Sequence, residues 1–571
     1  MRFATTCILL LYFLTSWSDN WLFFNGKSDY SIVVAPEASE SEKLAATELQ
    51  YYLEKVGGVR LPLLSNPKTG DKHIYVGYNK WVAAITRSKS SKVAEAPDDT
   101  AESFIYKTIG SDLIIYGGRH RGSAYGVYSF LEQQLGVRWY SSDFTKVPRR
   151  KSFRLGRHDH AESPAFLYRH VLYYQMQHDF ALNLHNKTNM HYGIMTESGK
   201  GRLDSFWGGH TFSELIPPSE YFAKHPEYFS LYEGRRVKDG QLCLSNPAVI
   251  KLLTTRMLRI VKENPGYIAY SLTQNDNQKN CQCSKCSAME SLYGAPSGLL
   301  IWAVNRVAKA VEEQLPGTKI VTFAYQYTRK VPHKIKPRHN VIVRLCDIEC
   351  CFMHPIEGHK ENASFMADLK GWAALTDHLY VFDYVTGFCQ YVAPFPNFQV
   401  LSRNLQFFRR YGVVGVMEEG QYESDGGEFA ELKQWVLARL LWNPDQDALA
   451  LAREFITDYY GSAASYVQEY FNLYNALPRA STHAHFDVNH EASLFTDEFI
   501  EKGSSIIEKA LNACRGDARL QRRVEHIQTQ TDYLRMKRSP IKSAFDGTTR
   551  RINAIVRRDG IYLREGQKPN K

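Results

Sequence analysis

Apolar and polar positions alternate along this chain in two distinct rhythms. Between about residues 28 and 157 the runs are short and mixed. "YSIVVAP" is β-rich, and "EASESEKLAATELQYYLEKVGG" follows with helical spacing and stops at Gly57-Gly58. "KHIYVGY", "ESFIYKTIG" and "DLIIYGG" predict further strands, and "RGSAYGVYSFLEQQLGV" predicts a second amphipathic helix. These elements make one N-terminal α/β unit. Gly117 and Gly118 stand before that second helix, but neither the full glycine spacing nor a Lys-Ser/Thr pair of a phosphate loop is present. A turn and a helix start are therefore expected there.

From about 165 to 440 β-rich runs recur with helical stretches between them. The strands are "FLYRHVLY", "YIAYSLTQ", "KIVTFAYQYT", "NVIVRLCDIE", "HLYVFDYV" and "GVVGVMEEG". The helices fall at 248–261, 299–315, 365–372 and 401–411. Such alternation predicts a parallel (β/α)8 barrel of the TIM type, with a doubly wound sheet as the alternative. After 441 the pattern is helical to the end. The fold class expected is α/β throughout: an α/β sandwich domain, a central barrel and a C-terminal helical region.

Composition narrows the functional classes. The chain has 571 residues, enough for two to four domains, and 44% hydrophobic content, so it folds around a large core. A net charge of +10 is mild for this length. Arg550, Arg551, Arg557 and Arg558 gather near the C-terminus, but no nucleic-acid-reading motif accompanies them. They read as a solvated basic tail. At the N-terminus Arg2 precedes an apolar run from Cys7 to Leu14, ended by Ser16-Trp17-Ser18. This is the layout of a cleaved signal peptide over 1–18, and it predicts export to a periplasm or the medium. The run is too short to span a bilayer, and no later segment predicts a membrane helix. No cofactor motif is present, and none is expected.

The chemistry lies at the predicted strand ends, where a parallel barrel presents its working side chains. Asn275 and Asp276 end one strand; Tyr325, Gln326 and Tyr327 the next; then Asp347 and Glu349, Asp383 and Tyr384, and Glu418 and Glu419. Capping explains one such carboxylate, but not carboxylates on four of five consecutive strands. A carboxylate-lined cleft with aromatic walls suits glycoside hydrolysis, in which one carboxylic acid protonates the leaving oxygen and a second group stabilises the oxocarbenium-like centre. Trp207, Trp302, Tyr325, Trp372 and Tyr384 are candidates to stack on sugar faces. His210, after two glycines, is a candidate partner for a sugar hydroxyl.

Ten cysteines are present, and the chain without Cys7 holds an odd nine. Cys281, Cys283 and Cys286 form C-x-C-x-x-C. Packed thiols, disulfides and a structural metal all remain open for them. A metal would need a fourth ligand, with Cys346, Cys350 or Cys351 as candidates. The "THAHF" segment around His483 and His485 lacks the spacing of a catalytic metal site.

Several long strings also resemble known families. "RGSAYGVYSFLEQQLGVRWY" resembles the N-terminal domain of family 67 α-glucuronidases and family 20 hexosaminidases. "HTFSELIPPSEYFAKHPEYFSLYEG", "SLTQNDNQKNCQCSKC", "VFDYVTGF" and "GVVGVMEEGQY" resemble the domain of unknown function 4838, associated with glycoside hydrolase family 163. That resemblance implies an endo-β-N-acetylglucosaminidase acting on N-glycan-type substrates, in which the substrate's own 2-acetamido group attacks the anomeric carbon. It places Asn275 where family 20 has the Asp of an Asp-Glu pair, so that Asn275 would orient the acetamide and Asp276 would be the acid, with Glu349 or Glu418 as substitutes. The expected catalytic set is thus Asn275, Asp276, Glu349 and Glu418. The expected binding set is Trp207, His210, Tyr325, Tyr327, Asp383 and Tyr384. The expected partner is a glycan. An α-glucuronidase-like enzyme acting on xylan, gripping a uronate through Arg169, Arg329 or Arg344, and a non-catalytic carbohydrate-binding protein are the alternatives.

Overall fold

The computed structural model describes residues 20–89, 97–197, 201–477, 483–486 and 495–567. The signal-peptide segment lies outside them. Among the described residues no helix is long and apolar enough to cross a membrane. The chain divides into two compact units. One comprises the residues up to Val137 together with Val147–Glu162; the other comprises Arg138–Lys146 and everything from Ser163 onward.

The first unit is built on a six-stranded mixed sheet. Its order is Asp159–Glu162, Phe104–Ile109, Asp112–Gly117, Lys72–Val76, Tyr30–Val34 and Leu63–Leu64. Helix Glu40–Gly57 starts in a capping box, with the Ser39 hydroxyl accepting from Glu42 N–H and the Glu42 carboxylate accepting from Ser39 N–H, and it stops at left-handed Gly58. Gly117 and Gly118 are packing residues: a Cβ on either would lie 2.4 Å and 2.0 Å from the carbonyl oxygens of Ser103 and Ala101. This close backbone approach explains the two glycines without any ligand.

The second unit holds a parallel sheet of seven strands. Their order is Tyr168–Leu172, Gly415–Glu419, Leu379–Tyr384, Val341–Cys346, Ile320–Ala324, Ala269–Ser271 and Phe206–Trp207. Parallel strands need crossovers, and helices such as Pro247–Glu263, Pro296–Gln314, Ala363–Ala373 and Phe398–Arg410 supply them. A flat sheet of this width would hold its edge strands about 29 Å apart. Here the rings of Tyr168 and Phe206, one on each edge strand, are centred 5.8 Å apart. The sheet is therefore curled. Leu172, Phe206, Ala269, Val321, Ile342, Tyr380 and Met417, one from each strand, meet in a single interior core with Met190.

The expected eight-stranded barrel is thus seen as a curled sheet of seven strands. Between its edges lie Asn189, Met190 and His191. Asn189 and Met190 donate backbone N–H to Arg169 O, His191 N–H donates to Asp204 O, and Asp204 N–H returns to Asn189 O. Only a single bridge, Met190 with Asp204, forms there. "HNKTNM" lacks a β-rich run, and Lys187 is left-handed at φ 59°, which stops a strand from starting.

Among the described residues seven α-helices follow, from Ala430–Trp442 to Thr548–Asp559. The arginine-rich end is not a solvated tail. Ile552 and Ile555 of the last helix are buried in a cluster with Val392, Ala393, Tyr533 and Ile561. Arg551 pairs with buried Asp532 at 2.6 Å, and Arg558 with Asp559 and Glu525, both at 2.6 Å. The chain then runs back along the loops that follow two strands of the curled sheet. Tyr391 N–H donates to Leu563 O and Glu565 N–H to Phe388 O, and Tyr562 N–H reaches the Ser424 hydroxyl.

Candidate active site

Side chains alternate across a strand, and that parity sorts the acidic strand ends into two groups. Tyr380 and Met417 belong to the interior core. Phe382 and Glu419, two residues further along each strand, therefore point inward. Both line a cavity of 390 Å³ with Leu172, Gln177, His178, His191, Tyr192 and Tyr422. It sits at the C-terminal end of the strands, where such sheets carry their chemistry.

Glu419 is its central acid. Burial first, and then the negative charge of Glu565, push the Glu419 carboxyl up to about 8, with the Arg344 guanidinium pulling the other way. Tyr422, in the loop beyond Glu419, donates its hydroxyl to Glu565 at 3.2 Å. Glu565 comes from the returning C-terminal segment, and burial raises its carboxyl too, with the charges of Glu423 and Asp276 adding to the effect. Beneath lies Arg344, which is 4% exposed. Its guanidinium is surrounded by the rings of Phe382, Phe323, Tyr380 and Phe206 at 4.9, 5.0, 5.2 and 5.8 Å. Its Nη2 donates to Met417 Sδ at 2.9 Å, while Nε has no partner.

Asp276 is exposed in the loop after Ala269–Ser271 and accepts from the Tyr325 hydroxyl at 3.0 Å. His210 packs against Phe323 and Tyr325 with ring centres 5.1 and 5.8 Å apart. Its Nδ1 donates to the carbonyl of Gln274 at 2.6 Å. Asp276, Tyr325 and His210 are thus brought together.

The remaining expected site residues stand elsewhere. Asn275 is spent on the loop: its Oδ1 accepts from Ser213 N–H and Oγ–H, both at 2.9 Å, and its Nδ2 donates to Gly240 O at 2.8 Å. Glu349 is held by Arg329 at 2.9 Å, and Arg329 also grips Asp368 at 2.9 Å. Glu418 and Asp383 lie between inward-facing neighbours and so point to the outer face. There Asp383 is paired across the strands with Glu418 and lies near Asp347, and the carboxyl oxygens of Asp347 and Glu418 have no hydrogen-bond partner among the described residues. Burial, reinforced by Asp383, pushes Asp347 and Glu418 well above the carboxylate range, and burial raises Asp383 to about 6. All three carboxyls are buried on the face of the sheet that does not line the cavity. Trp207 follows inward-facing Phe206 and takes the other face. Tyr327 is set among Glu290 and Cys286 rather than the cavity. Tyr384, by contrast, shares the inner face with Phe382, on which it stacks at 5.0 Å, with Phe352, Phe388 and Phe486 around it. Trp372 is buried and donates to Arg329 O at 2.8 Å, and Trp302 carries Arg306 over its ring at 3.7 Å on a helix. Of the arginines offered for a uronate, Arg169 is buried and donates to the carbonyls of Lys187 and Phe166.

Two clusters have metal-ligating character. Cys243, Cys281, Cys283 and Cys286 bring four sulfurs within 4.8 Å of one another. Cys351 Sγ lies 3.1 Å from His354 Nδ1 and 3.4 Å from His483 Nδ1, and Glu361 lies 3.0 Å from His483 and 3.7 Å from His485. The fourth sulfur beside Cys281, Cys283 and Cys286 is that of Cys243, and not that of the candidates Cys346, Cys350 or Cys351.

The fold is similar to that of "A novel family GH115 4-O-Methyl-alpha-glucuronidase, BtGH115A, with specificity for decorated arabinogalactans", with a TM-score of 0.59 and 13% identity over 93% of this chain and 76% of that one. The Flavobacterium johnsoniae chitobiase FjGH20 aligns at a TM-score of 0.44 and 11% identity over 95% of each chain, and CpGH84D at 0.46 and 8%, over 92% of this chain and 90% of that one. No curated protein matches the sequence. Residues 139–472, more than half of the chain, match the family model described as "Domain of unknown function (DUF4838)", and the chain belongs to that family.

Proposed function

We propose that this protein is a glycoside hydrolase whose general acid is Glu419. The observation that carries the reading is an inward-facing carboxyl in a 390 Å³ cavity that still holds its proton at neutral pH. A general acid must be protonated at its working pH to deliver a proton to the leaving oxygen, and burial arranges that here. The ring is read as a (β/α)8 barrel in which 189–191 take the place of the missing strand.

For substrate we keep a β-linked N-acetylglucosamine of an N-glycan-type glycan, cleaved with retention by participation of its acetamide. Asp276 and the Tyr325 hydroxyl, bonded to each other at the cavity's side of the sheet, are suited to orient that acetamide. As a carboxylate, Asp276 also offsets the positive charge of the cyclised intermediate. Asn275 becomes a positioning residue that fixes the loop. We place the enzyme outside the cytoplasm, following the N-terminal signal layout.

A second reading, α-glucuronidase-like action on a xylan-type polysaccharide, draws on Arg344, a buried guanidinium with a spare N–H beneath the cavity. Product analysis on N-glycans, xylan and aryl glycosides decides between them. Release of N-acetylglucosamine-ended products supports the first reading, and release of a uronic acid the second. Silence on the whole panel, with glycan binding retained, would leave a carbohydrate-binding protein.

A further inference from the structure

We propose that Cys243, Cys281, Cys283 and Cys286 bind one zinc ion as a closed tetrathiolate site, and that this ion pins the loop carrying Asp276. The proposal rests on geometry independent of the glycosidase reading.

A tetrahedral zinc with Zn–S bonds of about 2.3 Å requires sulfurs about 3.8 Å apart along each edge. Cys243 Sγ lies 3.7 Å from Cys283 Sγ and 3.8 Å from Cys286 Sγ. A disulfide would bring two of them to about 2.0 Å, and all four are free thiols. Four protein ligands leave no open position, so the site is structural rather than catalytic.

The surroundings suit thiolates. Cys283 is the N-cap of helix Ser284–Tyr293 and Cys286 lies in its first turn, where the unpaired N–H groups and helix dipole favour negative charge. Leu231 N–H donates to Cys281 Sγ at 3.3 Å, and the Arg236 guanidinium approaches the same sulfur at 3.8 Å. The Ser245 hydroxyl lies 3.1 Å from Cys286 Sγ. These donors and the arginine's charge offset the two negative charges that four thiolates and one Zn²⁺ leave behind.

The site joins two distant stretches of chain. Cys243 follows the hairpin Leu231–Tyr232/Arg235–Arg236; the other three follow Asp276. Gln241, two residues before Cys243, accepts from Asn275 N–H at 2.9 Å and donates to Asn275 O at 2.8 Å and Asn277 O at 2.7 Å. Without the ion, such hydrogen bonds and the Lys279–Asp239 ion pair would hold the Asp276 loop to the chain around the hairpin.

The test is metal analysis of the purified full-length chain by plasma mass spectrometry, with cobalt substitution as a spectroscopic probe. About one zinc per chain is expected, and the cobalt form should show the ligand-field and sulfur charge-transfer bands of a tetrahedral tetrathiolate. Cys243→Ser should lower zinc content at least several-fold, while substitution of exposed Cys389 should leave it unchanged. If Cys243→Ser fails to fold, the wild-type cobalt spectrum decides alone. Less than a tenth of an equivalent of metal, with either two disulfides by intact mass or four thiols alkylated in the native protein, would overturn the proposal.

Discussion

Glu418 and Glu419 are chain neighbours that face opposite sides of one sheet. Glu419 shares the inner face with Met417 and lines the cavity. Glu418 shares the outer face with Asp383, to which it is paired across the strands. Two adjacent carboxyls, both pushed upward by burial, thereby stand in unrelated surroundings.

Activity should separate them. Glu419→Gln is expected to lower kcat/KM roughly a hundred- to ten-thousand-fold on glycosides with poor leaving groups, and less on activated aryl glycosides. Glu418→Gln should change either rate only a few-fold. Steady-state kinetics on both substrate types would check this, and equal losses for the two variants would reassign the acid.

The pH profile offers a second handle. As the proposed general acid, Glu419 would have to be protonated, so kcat/KM should fall on the basic side near pH 8. The Glu565 charge raises Glu419, so Glu565→Gln should move that limb toward lower pH. A limb that stays in place would show that burial alone sets it.

The outer carboxyls predict a stability effect of definite sign. Asp347, Asp383 and Glu418 titrate above their unfolded values of about 4. The folded state therefore binds more protons, and their contribution is fully present below about pH 4 and is lost as pH rises toward the folded values. Glu418→Gln should shrink the drop in Tm between pH 5 and pH 9, as measured by calorimetry. A steeper drop in the variant would contradict this account.

Lys433 and Glu428 form a fully buried pair at 2.6 Å. Lys433 also donates to Val385 O and Phe395 O, and Glu428 accepts from the Tyr474 hydroxyl. Lys433→Met strands a carboxylate in the interior and should cost about 3–5 kcal/mol. Lys433→Met with Glu428→Gln should recover a good part of that loss in urea unfolding. Full additivity of the two single changes would argue against a coupled pair.

The strands of the sheet were legible because they are near-continuous runs of Val, Ile and Leu, as strands buried on both faces must be. The same property hid the orientation of their ends. In "GVVGVMEEG" nothing alternates, so parity could be read only from neighbours such as Tyr380 and Met417 in the folded core. Asp276 and Tyr325 were visible as polar residues just past apolar runs. Asn275 was equally visible but is consumed by Ser213 and Gly240, partners far away in sequence. Cys243 escaped because "QLCLSNP" has no ligand spacing of its own. Cys351 and His483, in contact at 3.4 Å, are likewise joined only by folding. Glu565 had no local signal at all; it reaches the cavity mouth because the chain turns back after its last helix.

That returning segment makes the acidity of Glu419 a gauge of its attachment. Residues 561–567 are held largely by a few backbone hydrogen bonds and by Ile561 in its apolar cluster, so they belong to the part of the molecule that opens before the core does. When they lift away, the Glu565 charge departs and water reaches the Tyr422 side of the cavity. Both changes lower the proton affinity of Glu419. Mild denaturant should therefore drag the basic limb of the activity profile downward while the sheet is still intact, and a titration curve becomes a report on fraying some 140 residues away along the chain.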